Sequence, residues 1–432
     1  MESVWQKMEY TTRYPSLKKN IETDVLVIGG GMAGILCARK LQAAGKRVVL
    51  VEANRIGSGI TARTTAVLTA QQDYLYQDMI RDFGEDAARA YLHAGLNAVA
   101  EYRKLSEKIP CDFETLPSMQ YTANDPARLE KEVHTVRKLG FSALFTDIVP
   151  LPVLGVGAAV YPDMGQFHPL KFLIGAAEGL EIYENSRVLE LEGTTAKLEQ
   201  GSVQAKKIIV ATHFPFINRR GLYFMKLYQR RSYVLALENA SDLSMSLTEL
   251  EGLGLYFRTY GELLLMGGGD HRTGKKGGGF AYLRAIARKY FPQSKERFAW
   301  ANQDCVTLDG LPYVGEYAPN MPGVYVITGF NGWGMTNAMV GANLLTDMIT
   351  GKDNPLREVL APNRSVMHKQ LWCNLGATAL DFAIPTKKRC PHLGCALRWN
   401  SAEHSWDCPC HGSRFGEEGK LLDTPAQKDA EI

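Results

Sequence analysis

The chain has 432 residues, 45% of them hydrophobic and 22% charged, with a formal net charge of +3. This length allows two or three domains with a large core. Acidic and basic residues are interspersed, which argues against a polyanion-binding protein, and we expect no nucleic-acid partner. No apolar run is long enough to span a membrane and residues 1–20 do not resemble a signal peptide. The sequence therefore predicts a soluble cytoplasmic protein.

The first motif follows an apolar stretch that begins at Asp24 and reads as a buried β-strand. A turn with Gly29, Gly31 and Gly34 comes next, then an amphipathic stretch typical of a helix, then a second strand ending in Glu52. This is the order of a dinucleotide-binding βαβ unit, where glycines allow a tight turn, approach of the pyrophosphate and close helix packing. Glu52 is placed to accept hydrogen bonds from an adenosine ribose. NAD and FAD both suit this motif.

Four later segments favour FAD. Residues 55–66 form a loop rich in small residues, and residues 207–212 read as a strand ending in Ala-Thr. Residues 308–315 and 326–336 contain closely spaced glycines. In this order the segments resemble those of FAD-dependent oxidoreductases of the D-amino-acid oxidase family, which includes glycine and sarcosine oxidases. The resemblance implies an FAD-binding protein.

The resemblance also indicates which residues would hold FAD. They are Gly29, Gly31, Met32, Ala33, Gly34, Glu52, Ala53, Ser58, Thr61, Arg63, Thr64, Thr65, Ala66, Val188, Ala211, Thr212, Gly310, Gly329, Asn331, Gly332, Trp333, Gly334, Met335 and Thr336. Residues 58–66 and 328–336 contain neither histidine nor cysteine. We therefore expect the flavin to be bound without a covalent link.

Family members have a discontinuous FAD-binding domain and a second domain that closes over the flavin. On this pattern residues 1–71, 152–213 and 301–352 form an α/β FAD-binding domain of Rossmann type. An α+β substrate domain with an antiparallel sheet takes residues 72–151, with helical patterns at 74–83 and 86–105, and residues 214–300. Residues 353–387 are predicted to be a linker.

The glycine-rich stretch around His271 is the main candidate for catalysis. In sarcosine oxidase-like enzymes a histidine in a similar context lines the active site, and His271 is the matching residue; a solvent-exposed hairpin histidine is the alternative. The oxidases carry a lysine four positions earlier that helps O₂ react, whereas this chain has Gly267. The resemblance therefore implies poor direct reduction of O₂.

Several side chains are candidates to bind a substrate carboxylate, since a guanidinium offers two parallel hydrogen bonds. They are Arg230, Arg231, Tyr233, Tyr256, Arg258 and Arg272. A structural salt bridge or a surface position is the alternative for each. We predict that Tyr256, His271 and Arg272 are the catalytic residues.

Cysteine and histidine residues are concentrated between positions 390 and 411. Cys390 and His392 form one close pair, and Cys408 and His411 form another. A Rieske [2Fe-2S] centre holds one iron by two thiolates and the other by two imidazoles, so it requires such pairs on two loops. A closed tetrahedral zinc site is the alternative.

This segment resembles the cluster loops of Rieske proteins from cytochrome bc complexes. The resemblance implies that the ligands are Cys390, His392, Cys408 and His411, and that a disulfide joins Cys395 to Cys410. Residues 388–432 would form a small all-β Rieske-like domain. Complete Rieske domains have strands before the first loop, and here only residues 371–384 look capable of forming one. We expect an abbreviated domain, either poorly supported or with a wall supplied by its neighbour.

Together the motifs predict a flavin-dependent dehydrogenase that takes a hydride from the carbon next to the nitrogen of an amine or amino acid. Electrons would pass from FAD to the [2Fe-2S] centre and then to an external acceptor, a protein or a quinone. One alternative is an amine oxidase-type flavoenzyme whose tail is structural, held by zinc or a disulfide. Another is a non-catalytic redox carrier.

Overall fold

The computed structural model describes residues 2–8, 13–151, 153–217, 220–252, 254–364 and 369–432. The strands are β1 (Ile21–Ile28), β2 (Val48–Val51), β3 (Val67–Leu68), β4 (Glu114–Thr122), β5 (Leu144–Thr146), β6 (Gly157–Gln166), β7 (Glu181–Tyr183), β8 (Val188–Glu192), β9 (Thr195–Leu198), β10 (Gly201–Val210), β11 (Tyr228–Glu238), β12 (Ser246–Glu249), β13 (Tyr256–Tyr260), β14 (Leu263–Arg272), β15 (Lys295–Val306), β16 (Tyr313–Glu316), β17 (Val324–Thr328), β18 (Arg398–Asn400), β19 (Ser405–Asp407), β20 (Arg414–Phe415) and β21 (Leu421–Asp423). The helices are α1 (Met32–Ala43), α2 (Leu75–Phe83), α3 (Glu85–Ser106), α4 (Pro126–Lys138), α5 (Pro169–Ala177), α6 (Tyr223–Lys226), α7 (Gly279–Tyr290), α8 (Gly334–Thr350), α9 (Leu356–Val359) and α10 (Lys369–Phe382).

The first sheet is built around the predicted βαβ unit. Its strand order is β16-β17-β10-β1-β2-β7, and the β8–β9 hairpin joins it at β10. Strands β17, β10, β1, β2 and β7 run parallel. Side chains of β1 are buried on both faces, because α1 and α8 cover one face while β8, β9 and Phe214 cover the other. Both faces being covered accounts for the continuous apolar run in β1.

The second sheet is mostly antiparallel, with the strand order β15-β11-β14-β13-β12-β4-β6-β3. One face carries Tyr233 and Leu235, which pack on Phe280 and Leu283 of α7. The opposite face carries Val234, Ala236 and Trp300, which pack on Ala62 in the loop at residues 55–66. The sheet therefore lies over that loop, as the predicted α+β substrate domain requires, and α2 and α3 match the two predicted helical patterns.

The strand pairing shifts some of the predicted domain boundaries. Strand β6 pairs with β4, and β3 pairs with β6, so β3 and β6 belong to the antiparallel sheet. The sequence assigns them to the FAD-binding domain. Strand β15 continues in the second sheet to Val306, past the predicted boundary at residue 301. These pairings join distant segments of the chain, so no local sequence pattern reveals them.

Residues 371–384 are mostly helical, so the prediction of a strand there, within a linker, is wrong. Helix α10 buries Leu371, Asn374 and Asp381 on its inner side. The Asp381 carboxylate pairs with Lys275 at 3.3 Å and Arg398 at 3.2 Å. This inner stripe has helical spacing, but two of its members are polar, which conceals the period from a reading of hydrophobic positions alone.

The C-terminal residues form a small third sheet, β18-β19-β20-β21, with antiparallel pairing throughout. The core of this domain is small and contains Cys390, Cys395, Leu397, Phe415 and Ala426. This agrees with the predicted small all-β domain. A core of this size supplies little stability alone, so contacts with the rest of the protein matter.

Among the described residues, no helix combines the length and apolar character needed to cross a bilayer.

Candidate functional site

The turn between β1 and α1 requires glycine at two positions. Gly29 has a φ of +111°, and a Cβ there would lie 2.5 Å from the carbonyl oxygen of Ala211. A Cβ on Gly34 would lie 1.9 Å from the carbonyl oxygen of Gly29. Helix α1 therefore begins in direct contact with the strand. Its N-cap, Gly31, has no side chain, and the Met32 N–H donates to Thr61 Oγ1 at 3.1 Å, so the positive end of the helix is suited to an anion next to Thr61.

A cavity of about 320 Å³ lies at this helix end. The residues predicted to hold FAD that line it are Gly29, Gly31, Met32, Ala33, Glu52, Ala53, Ser58, Thr61, Val188, Ala211, Thr212, Gly329, Gly334 and Met335. The Glu52 carboxylate accepts hydrogen bonds from the Gly30 N–H at 2.7 Å and the Asn54 N–H at 2.8 Å. Segments far apart in the chain thus form one site whose shape and helix end fit a dinucleotide.

The other residues predicted to hold FAD do not line this cavity, although some of them support the segments that do. Asn331 accepts from the Thr307 N–H at 2.8 Å and donates to the Gly310 carbonyl at 2.9 Å. The Thr336 hydroxyl donates to the Thr69 carbonyl at 2.9 Å. The predicted residues outside the cavity lining are Gly34, Arg63, Thr64, Thr65, Ala66, Gly310, Asn331, Gly332, Trp333 and Thr336.

The cavity has further walls that the motifs did not predict. His213 lines it after Ala211 and Thr212, as do Gln229 of β11 and Gln303 of β15. Residues 421–424 and Gln427 of the C-terminal domain also line it. Nothing in the local sequence marks the two glutamines or the C-terminal stretch. The C-terminal domain is therefore part of the cavity wall.

The two cysteine–histidine loops have the same backbone geometry. In each, the N–H of the first cysteine donates to the carbonyl five residues later, at 2.9 Å for Cys390 and 2.8 Å for Cys408. Gly394 and Gly412 have φ values of +85° and +84°, and each N–H donates back to the carbonyl of that cysteine at 2.9 Å. The repeated motif therefore builds two matching loops that face one another.

The four predicted cluster ligands lie together between these loops. The Cys390 and Cys408 thiols are within hydrogen-bonding contact, and the rings of His392 and His411 have centroids 4.9 Å apart. Both ring nitrogens of His392 and Nδ1 of His411 are buried without a partner among the described residues. Burial lowers the pKa of His392 to about 4 and of His411 to about 3, so both rings are neutral near pH 7. Two thiols and two neutral imidazoles with unused nitrogens fit the donor set of a Rieske cluster.

A disulfide joins Cys395 to Cys410, as the resemblance implies. The sulfur atoms of Cys395, Cys408 and Cys410 also lie within 4.8 Å of one another. Two of those three sulfurs are bonded to each other and cannot act as thiolate ligands. This trio is therefore not a zinc site.

Comparison with known families agrees with both sites. Residues 24–348 match the family model described as FAD dependent oxidoreductase. The chain belongs to the family of FAD-dependent oxidoreductases. Residues 382–432 match the model of the Rieske [2Fe-2S] domain, so this member carries that domain at its C-terminal end. Its cofactors are FAD and a [2Fe-2S] cluster.

Individual relatives are consistent with this assignment. A putative Rieske 2Fe-2S iron-sulfur protein of Bacillus subtilis is 32% identical, with 99% of this chain and 96% of that protein covered. The gamma-glutamylputrescine oxidoreductase of Escherichia coli is 26% identical over 78% of this chain and 86% of its own length. The glycine oxidase structure from Geobacillus kaustophilus has a TM-score of 0.67 at 20% identity, covering 80% of this chain and all of that one. The structural likeness concerns the fold.

Two glutamines connect the cavity of this FAD-dependent oxidoreductase to a cluster loop. Gln229 Nε2 donates to the His411 carbonyl at 2.8 Å, and Gln303 Nε2 donates to the Gly412 carbonyl at 2.9 Å. A Cβ on Gly412 would lie 2.6 Å from Cβ of Gln229. The Rieske loop therefore packs tightly on the antiparallel sheet, which supplies a wall for the abbreviated domain.

Arg272 belongs to this domain contact, contrary to the prediction that it binds substrate. Its guanidinium donates to the carbonyls of Pro409 and Cys410, both at 2.8 Å, and to Asn374 at 2.6 Å. These acceptors occupy the planar donor groups that a carboxylate would need. The physical role of Arg272 in this oxidoreductase is to hold the second cluster loop and α10 against β14.

The structure separates the other two predicted catalytic residues. His271 Nε2 lies 3.0 Å from the Tyr233 hydroxyl and Nδ1 lies 2.9 Å from the Arg272 carbonyl, on the sheet face that packs on α7. Tyr256 lies on the opposite face, with its hydroxyl 3.4 Å from Ser232 Oγ. The pairing register of β11 with β14 shifts between Arg231 and Tyr233. A shared catalytic role for His271 and Tyr256 is therefore not supported by their positions.

Two further carboxylate candidates also have protein partners. The buried Arg258 guanidinium donates to the carbonyls of Thr65, Ala66 and Phe167. Buried Arg231 forms a two-bond ion pair with Glu403 of the Rieske domain. Both arginines thus hold domains together.

Replacing Arg231 with alanine is expected to destabilise the attachment of the Rieske domain by about 3 kcal/mol, because a buried carboxylate would lose a partner. Arg231 is 1% exposed and Glu403 is 8% exposed, and Arg414 remains 3.0 Å from Glu403 as a second cation. Urea unfolding and the rate of proteolysis between residues 352 and 390 would measure the change. Arg297→Ala is the matched control, since its ion pair with Glu238 is 58% and 32% exposed and should contribute less than about 1 kcal/mol. Equal losses in the two variants would contradict the assignment.

Proposed function

We propose that this protein is an amine or amino-acid dehydrogenase that passes electrons from FAD through the Rieske cluster to an external acceptor. The substrate would lose a hydride to FAD and a proton to solvent, leaving an imine. FAD takes up two electrons together and can release them singly, and a [2Fe-2S] centre carries one at a time. The acceptor is a one-electron carrier protein or a quinone. The observation that carries this proposal is that the Rieske domain forms part of the wall of the flavin cavity.

One connection between the cavity and the cluster loops runs through two adjacent residues. His213 lines the cavity, and the ring of Phe214 lies 6.4 Å from the rings of both His392 and His411. We assign these two histidines, with Cys390 and Cys408, as the ligands of the cluster. The ligand edge of the Rieske domain would therefore face the flavoprotein, with a single aromatic side chain between it and the residue that lines the cavity.

The attachment of the Rieske domain supports transfer without a large domain movement. Gln229, Gln303 and Arg272 all donate to main-chain carbonyls of the loop at residues 408–412. Arg231 adds a buried ion pair to Glu403. Since these contacts fix the loop at the cavity wall, we infer that the two cofactors remain at a constant distance during turnover.

Gly267 supports an acceptor other than O₂. A Cβ on Gly267 would lie 2.0 Å from the ring of Tyr256, so no side chain fits at this position. The sarcosine oxidase-like enzymes that this chain resembles carry a lysine there that assists O₂. We propose that direct reduction of O₂ is slow and that electrons leave through the cluster. The name of the Escherichia coli relative, a gamma-glutamylputrescine oxidoreductase, supports an amine-containing substrate.

Anaerobic stopped-flow mixing with amines and amino acids tests the proposal. Flavin absorbance should bleach, and frozen samples should then give the electron paramagnetic resonance signal of a reduced Rieske cluster. Iron and sulfide analysis should give about two of each per chain. Bleaching without the cluster signal would remove the relay, and zinc in place of iron would favour a structural tail.

Replacing Phe214 with leucine is expected to slow cluster reduction several-fold while leaving the rate of flavin bleaching unchanged. The smaller side chain removes the aromatic contact to His392 and His411 without inserting a polar group. The measurement is the time course of the reduced-cluster signal after substrate reduces the flavin. Phe291→Leu is the matched control, because Phe291 is also buried but packs in the distant core beside α7. An identical cluster-reduction rate in the Phe214 variant would exclude this connection.

A further inference from the structure

The face of the antiparallel sheet that looks toward the flavin-binding loop carries an unusual set of polar side chains. Arg230 lies directly across from Asp304, and Ser232 directly across from Asn302. The next pair on this face includes Trp300, whose indole N–H donates to the Arg63 carbonyl at 2.8 Å. The polar set therefore lies on the same side as the FAD loop, and opposite to Arg231, which pairs with Glu403 of the Rieske domain.

Three carboxylates meet at this place. Asp270 lies 3.4 Å from Arg230, Asp304 accepts from Asn302 at 3.1 Å, and Asp73 hydrogen-bonds with Trp333, just before the cavity residue Gly334. We call Asp73, Asp270 and Asp304 the carboxylate cluster. It joins the sheet to the glycine-rich segment that lines the flavin cavity.

The positive charge that faces the carboxylate cluster is smaller than its negative charge. Arg230 is the cation that acts on all three acids, while Arg231 on the other face pairs with Glu403. Burial raises the pKa of Asp270 to about 7 and of Asp304 to about 6, even with Arg230 nearby. When the three acids are ionised, one guanidinium leaves an excess of negative charge, so a cationic ligand would favour the ionised carboxylates over the protonated ones.

Acceptor atoms without a hydrogen-bond partner among the described residues also indicate a cationic ligand. Asn302 is 9% exposed, and its Oδ1 has no hydrogen-bond partner among the described residues although its Nδ2 binds Asp304. Oδ1 of Asp270 is also buried without a partner in that part of the chain. Both atoms accept hydrogen bonds. An ammonium group supplies donors and positive charge together.

We infer that the carboxylate cluster binds an ammonium group of the substrate, so that the substrate is a diamine or polyamine rather than an α-amino acid. This inference rests on the proposed amine oxidation and defines its substrate class. One ammonium would be held by Asp270, Asp304 and Asn302 while the carbon beside another nitrogen loses the hydride. An α-carboxylate would instead meet excess negative charge, and Arg231, Arg258 and Arg272 are engaged elsewhere.

Anaerobic flavin reduction in the holoenzyme by 1,4-diaminobutane, 1-aminobutane and proline tests this inference. The dependence of the bleaching rate on concentration separates the dissociation constant from the rate constant. In the wild type, 1,4-diaminobutane should bind at least about tenfold more tightly than 1-aminobutane. In Asp304→Asn, and independently in Asp270→Asn, that ratio should fall toward one. Asp163→Asn, a change at an exposed position of β6, should keep the wild-type ratio.

The outcomes separate this inference from the proposed function. If proline reduces the flavin and both amines fail, the carboxylate cluster is not a substrate site, while amino-acid oxidation stands. If both amines bind equally in the wild type, the inference is also wrong. If no nitrogen compound bleaches the flavin, the proposed function fails first.

Discussion

Replacing Cys408 with serine is expected to abolish the [2Fe-2S] cluster. Iron should fall from about two atoms per chain to near none, since the cluster irons require thiolate ligands and a serine oxygen is a poor substitute. Cys408 is fully buried beside Cys390, so neither water nor another thiol can take its place easily. Iron analysis and the paramagnetic resonance spectrum after dithionite treatment would measure the loss.

Flavin binding should survive in this variant, because the glycine turn and α1 lie in a different part of the molecule. Amine-driven flavin bleaching should therefore continue while the cluster signal disappears. Cys111→Ser is the matched control: this buried cysteine donates to the Ser106 hydroxyl at 3.2 Å, and a serine can repeat that contact. Full iron content in Cys408→Ser would overturn the ligand assignment.

Replacing Gly34 with alanine is expected to weaken FAD binding by about two orders of magnitude, equivalent to roughly 3 kcal/mol. The added Cβ would lie 1.9 Å from the Gly29 carbonyl oxygen, so α1 must move away from the turn. The helix end and the turn would then no longer face the same point in the cavity. Fluorescence titration of the flavin-free protein with FAD would measure the effect.

Gly376→Ala provides the comparison for that change. Gly376 lies in α10, a Cβ there meets nothing within 4 Å, and a helical alanine is favoured over glycine by up to about 1 kcal/mol. This variant should bind FAD normally and be slightly more stable. Unchanged FAD affinity in Gly34→Ala would show that the contact between helix and strand does not shape the site.

The sequence predicts the two cofactor sites because the residues that define them lie close together in short stretches of the chain. Gly29, Gly31 and Gly34 lie within one turn, and each pair of predicted cluster ligands lies within four residues. Local spacing determines local backbone geometry, so the glycine turn and the two matching cluster loops follow from the motifs. The disulfide between Cys395 and Cys410, which the resemblance to Rieske proteins implied, is confirmed.

The positions of the substrate-domain residues that the resemblance selected could not be predicted from the local sequence. His271 and Arg272 lie on strand β14, where the register with β11 determines toward which face of the sheet each side chain points. A small irregularity in that register turns a side chain toward the other face of the sheet. In the structure Arg272 holds a Rieske loop, while Arg230 and Asp304 lie on the face toward the flavin loop.

Sequence alone determined that this chain carries a flavin fold and a Rieske motif, because both depend on residues close together along the backbone. Tertiary structure alone decided how they meet. Gln229, Gln303 and Phe214 contact the cluster loops across more than 100 positions of sequence, and such contacts leave no periodic or spacing signal. The buried polar side chains of α10 could not be predicted for the same reason, since Asp381 pairs with Lys275 and Arg398 from other segments of the fold.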